Sequence, residues 1–318
     1  VKLRAALATA LLAVACAKPE PVPPQYQPAA SVLEVVATLR RHLMDDTYRF
    51  EPARDFSGRN VYRASLIRLE SLERLHAESL RAGHFDDVIS FSKARALERL
   101  RAYDLAAASH RRAAERDGPL REEALRAAAL NDAIAEAVQL GFEPGRPPIG
   151  DPEPVPVPAD ADAAIAAFDR RVALLEAVGD DAAGTPLAFV VKEEVERSDE
   201  ARARYFVARR LLDPEGEVRG LAELQRVATR HRDSKNRNRH VLELSDLYAA
   251  LAQEYVRARP PESLWFDPAS FQELVDSATQ LYEAVANQDG TPEKLEAARR
   301  LEAFLAFTLR VDRDRFTP

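Results

Sequence analysis

Two consecutive apolar stripes at helical spacing, joined by a short polar turn, constrain this chain more than any other feature. They lie in Leu221–Tyr255, LAELQRVATRHRDSKNRNRHVLELSDLYAALAQEY. In the second segment Val241, Leu244, Tyr248, Leu251 and Tyr255 recur at steps of three and four, which puts them on one helix face. In the first, Leu221, Leu224 and Ala228 share a face with Val227 beside them. Such a hairpin cannot bury its apolar faces alone and needs similar hairpins stacked on both sides. Only 11 glycines occur in 318 residues, and the dominant alanine, leucine, arginine and glutamate favour helix throughout. The expected fold class is all-α, built of helical hairpin repeats.

Proline divides the chain. Twelve of the 21 prolines fall in 19–28 and 144–158, so they punctuate segments more than they interrupt helices. Residues 16–30 read as a polyproline-like tether. Residues 142–160 forbid helix or central strand and are expected to link an N-terminal helical block, 31–141, to a C-terminal block, 161–318. In the first block, Ser31 should cap a helix reaching about Met44. Asp45–Asn60 is irregular, a single helix spans Val61–Arg81, and another runs from about Leu120 to a stop at Gly141. In the second, Ile165, Phe168, Val172 and Leu175 stripe a helix over Ala161–Val178. Thr185-Pro186 opens one that runs towards Leu212, with a break expected near Ser198-Asp199. Asp267-Pro268 caps a helix carrying Phe271, Val275, Ala278, Tyr282 and Val285, and Thr291-Pro292 starts the last.

Two resemblances follow from particular residues. Lys2 and Arg4, the apolar run Ala5–Ala15 and Ala13-Val14-Ala15-Cys16 resemble a bacterial lipoprotein signal, 1–15, followed by a lipidated cysteine, the only one in the chain. The other reading is an A-x-A site for ordinary signal peptidase, with Cys16 an incidental thiol. The lipoprotein resemblance implies a cell-envelope location, anchoring by lipid alone and, from Ala17, the periplasmic face of the outer membrane. Val241, Leu244, Ser245 and Tyr248 resemble the first helix of a tetratricopeptide repeat, and Ala278, Tyr282 and Val285 its second, displaced by the insertion RARPPESLWFDPAS. A degenerate copy places Ala94 and Leu97 on a first helix and Ala106, His110 and Ala113 on a second. That resemblance implies a tetratricopeptide-like α-solenoid in two blocks.

Little points to chemistry. No phosphate-cradling glycine loop, HExxH motif or GxSxG elbow occurs, so no catalytic residue and no cofactor are assigned and an enzyme is not expected. The six histidines never fall four apart on one helix, so no metal site is expected. A formal charge of −7, or −9 without Lys2 and Arg4, speaks against nucleic-acid binding. Asp45-Asp46, Asp86-Asp87 and Asp180-Asp181 read as helix-end charges. Trp265-Phe266 is either an exposed anchor or a pin for the insertion. Against that acidic background, Arg230, Arg232, Lys235, Arg237 and Arg239 with Asp233 leave a local +4. This turn reads either as a contact for an anionic ligand or as a solvated turn.

The expected function is protein–protein scaffolding in the envelope. The repeat register places Arg239, Glu243 and Asp246 in the partner-binding groove, with Arg237 beside them in the basic turn. The alternative is an accessory protein that binds anionic envelope glycan or regulates cell-wall synthesis.

Overall fold

The computed structural model describes residues 27–43, 60–141 and 160–316. Cys16, the signal and most of the tether lie outside the described residues, as do residues 142–159 of the proline-rich stretch. Among the described residues the chain forms twelve helices and no strand. They are α1 (Pro28–Leu43), α2 (Val61–Leu75), α3 (Ala77–Ala82), α4 (Asp86–Arg99), α5 (Tyr103–Ala114) and α6 (Arg121–Val138). After the proline-rich stretch come α7 (Ala161–Asp181), α8 (Leu187–Arg209), α9 (Gly216–Arg230), α10 (Arg237–Ala258), α11 (Pro268–Ala286) and α12 (Glu293–Phe316). From α4 onward each helix packs on the next.

Side-chain caps set several starts. Asn60 accepts from the N–H groups of Tyr62 and Arg63, Asp160 from Ala163, and Asp267 from Ala269 and Ser270. Three expectations need correction. Helix α1 begins at Pro28, so Ser31 lies inside its first turn; proline fits there because it has no N–H to leave unpaired. The segment 61–81 is two helices, because His76 (φ −130°) interrupts the helical backbone. Helix α8 runs unbroken through Ser198-Asp199. The Ser198 hydroxyl donates to the Glu194 carbonyl one turn back (2.6 Å), and the Asp199 carboxylate is taken up by Arg226 of α9 and His231 of the following turn.

The three largest of the apolar clusters lie along the chain. Val32, Leu39, Leu69, Leu80 and Ile89 close α1–α4. At the other end Leu242, Phe266, Phe271, Val275, Tyr282, Phe304 and Val311 close α10–α12. The third spans the proline-rich stretch: Tyr103, Leu130 and Ile134 pack with Leu175, Val178, Leu187 and Val190. The helices flanking 142–160 therefore share a single core. The stretch is also pinned where it leaves. Gly141 adopts φ +80°, and a Cβ there would meet the Phe168 ring of α7 at 3.2 Å. The Arg171 guanidinium of α7 donates to the Leu140 carbonyl.

Candidate functional site

Helix α8 has the weakest apolar periodicity of the longer helices, yet about half of it is buried. Its central stretch carries Glu193, Glu194, Glu196, Asp199 and Glu200, and of these all but Glu193 are buried. An unpaired buried carboxylate is strongly disfavoured, so each must meet donors or cations. The fold supplies them from both sides.

From the N-terminal side, Arg101 donates to Glu194 through Nε (2.6 Å) and Nη2 (2.8 Å), and the Tyr103 hydroxyl adds a third bond at 2.8 Å. Arg171 of α7 stands 3.6 Å away, and Arg99 reaches Glu193 at 3.2 Å. Burial, and then the Glu194 charge beside it, raise the Tyr103 phenol far above its usual range, so it acts only as a donor. Arg101 sits in the left-handed region (φ 62°), where a side chain costs about 1–2 kcal/mol relative to right-handed backbone. Glycine would avoid that cost, but only arginine brings the two-pronged donor to Glu194.

From the C-terminal side comes the basic turn. Lys235 pairs with Glu193, Arg230 with Asp199 (3.0 Å) and Glu176, and Arg239 with Glu200. Ser234 donates to Glu196 (2.6 Å), His231 meets Asp199 (2.8 Å) and His240 meets Glu196 (2.6 Å). Burial acts to raise the Glu196 carboxyl, but the bonds from His240 and Ser234 with the histidine charges bring it down to about 2. Asp199 is likewise held low: burial is outweighed by His231, Arg226 and Arg230. The local +4 of the turn is thus spent largely on a helix some forty residues upstream.

The four residues expected to contact a partner part company here. Arg239 is bound to Glu200, Glu243 to Arg204 (2.7 Å), and Asp246 to the Tyr282 hydroxyl (2.7 Å) and Arg300. Burial holds the Asp246 carboxyl above its usual range despite those two partners. Arg237 is exposed and lines a cavity of about 630 Å³. Phe189, Lys192, Glu196, Ser234, Asn238 and Thr291 contribute to the same walls, and Arg232 and Glu293 stand at them too. Among the described residues Lys192 and Arg237 carry no ion pair.

His110, placed in an aromatic packing role, is fully buried with Phe91 edge-on at 5.0 Å, but it also bonds the buried Glu98 (2.7 Å). Arg95 (3.1 Å) and Asn131 (2.9 Å) complete that node. Trp265 and Phe266 divide: Phe266 packs on Tyr255 and Phe271, whereas Trp265 is 82% exposed. The carboxylates of α8 do not stand out as site residues in the sequence because their partners lie far along the chain. The usable signal was the length of the acidic run beside Ala201, Ala203, Tyr205 and Phe206, too apolar a neighbour for a solvent-facing helix. No protein-family model matches the chain, and no curated protein matches it.

Proposed function

We propose that this chain is a cell-envelope lipoprotein, anchored through Cys16, whose tetratricopeptide-like helical stack is a scaffold that holds an acidic segment of a protein partner. The observation that carries this reading is the cavity beside the basic turn. Its walls are fixed by the paired network of α8, while Lys192 and Arg237 stay exposed and unpaired at its edge. Two cations over a preformed cavity suit a carboxylate-rich peptide, with Phe189 as an apolar contact and Asn238 and Thr291 as hydrogen-bonding groups. No helix of the described residues is long and apolar enough to cross a membrane, and a lipid anchor needs none.

The test uses an array of acidic and neutral peptides and the variant Lys192→Glu with Arg237→Glu. The wild type should retain acidic peptides, less so as salt rises, and the variant should lose them while keeping its circular dichroism. Equal binding by both proteins contradicts the reading. Retention of anionic glycan fragments in place of the peptides would move the function to envelope-glycan binding. The anchor is tested separately: Cys16→Ala should abolish labelling by a fatty-acid probe and release the chain from membranes.

A further inference from the structure

Glu196 and Glu200 stand four apart on α8 and so share a face, and His240 of the first turn of α10 meets them there. Each offers one donor atom within 4.8 Å of the other two, and all three residues are buried. His240 is 1% exposed; its Nε2 lies 2.6 Å from a Glu196 oxygen, whereas its Nδ1 has no hydrogen-bond partner. That Nδ1 faces Glu200 Oε1 at 3.6 Å. The separation is too long for a hydrogen bond. A cation between these two atoms could lie about 2.1 Å from each, with Glu196 turning from Nε2, and Arg239 from Glu200 Oε1, to admit it.

We propose that Glu196, Glu200 and His240 form a binding site for a divalent transition cation, Zn²⁺ before others. One imidazole nitrogen with two carboxylate oxygens is a zinc-type set, whereas Mg²⁺ and Ca²⁺ favour oxygen ligands alone. The groups that orient such ligands are in place. Ser234 holds Glu196, and Arg239 and Arg204 (3.5 Å) hold Glu200. Glu196 also belongs to the cavity wall, the side from which an ion would enter. The site does not depend on the peptide-binding reading, because neither Lys192 nor Arg237 is a ligand.

The experiment is a calorimetric titration of the chelator-treated full chain with ZnCl₂, followed by zinc-soaked crystals imaged at the zinc absorption edge. One zinc per chain is expected, with anomalous density between Glu196, Glu200 and His240. Glu196→Gln and Glu200→Gln should each weaken zinc binding by about tenfold or more, and Lys192→Glu with Arg237→Glu should leave it unchanged. If the glutamine variants do not fold, the anomalous map of the wild type decides alone. No stoichiometric zinc, or density only elsewhere, overturns the proposal.

Discussion

Two parts of the interior, the layer at α10–α12 and the middle of α8, are built on opposite principles. Around α10–α12 the core is aromatic and aliphatic, with Tyr255, Phe266 and Phe271 in mutual contact and Phe304 between Tyr282 and Phe307. Around α8 the interior is charged, and the carboxylates of one helix meet arginines, lysine and histidines from α4, α7, α9, α10 and the turns. The apolar layer is held by area removed from water, which tolerates small shifts in register. The charged layer works only if each group finds its partner, because any one left alone is buried and uncompensated. Docking the two sides of the chain on α8 is accordingly a matter of matched pairs.

Glu194→Ala should show that difference at its largest. It removes the buried carboxylate on which Arg101, Arg171 and Tyr103 converge and should cost about 3–5 kcal/mol in chemical denaturation. Phe271→Ala in the aromatic layer should cost a similar amount, yet without dependence on salt or pH. A loss below about 1 kcal/mol for Glu194→Ala would show that α8 is not held by charge.

The basic turn supplies a sharper contrast within three residues. Arg239→Glu sets a new carboxylate against buried Glu200 and should destabilise by about 3 kcal/mol. Arg237→Glu, which breaks no ion pair, should stay within about 0.5 kcal/mol. Matching behaviour of the two, measured by thermal and urea unfolding, would dissolve the distinction between structural and exposed cations in this turn.

Those pairings explain how far the fold could be read from the sequence. Helix α11 was legible because period and burial agree: Phe271, Val275, Ala278 and Tyr282 are apolar, regularly spaced and buried, whereas in α12 Phe304 is buried but Leu295 of the same expected face is 69% exposed. Helix α8 was only half legible, since glutamate and arginine ordinarily mark a solvated face and here mark an interior. The turn 230–240 was counted as surplus charge because its partners lie about forty positions away, beyond any local window. The cluster of Glu196, Glu200 and His240 is hidden for the same reason, since only two of its members share a helix. The shared core of α5–α8 escaped because residues 142–160 look like a boundary, and the apolar faces that meet across them carry no mark of their partner.

Acid should separate the charged nodes from the apolar layer by a smaller margin. Burial acts to raise the Glu98 carboxyl, but Arg95, His110 and Asn131 hold it below the usual value of 4.5. A depressed carboxyl contributes stability above its unfolded pKa and loses it as pH falls through the folded one. Unfolding free energy should therefore fall as the pH drops below about 4.5, and Glu98→Gln should flatten part of that slope. An identical acid profile for the variant would show that this node contributes nothing to it. Gly141→Ala should cost about 1–2 kcal/mol, from a methyl group at positive φ. Its contact with Phe168 makes it a probe of the junction, and unchanged stability would mean that the junction gives way freely.

The most direct test of the central claim, that α8 and its neighbours join both sides of the proline-rich stretch into one body, is to cut that stretch. A specific protease site inserted within residues 142–159 and fully cleaved should leave both fragments together on native size-exclusion chromatography, and they should unfold in a single transition. Fragments that separate without denaturant, each keeping its helical signal, would contradict the account and restore two independent blocks.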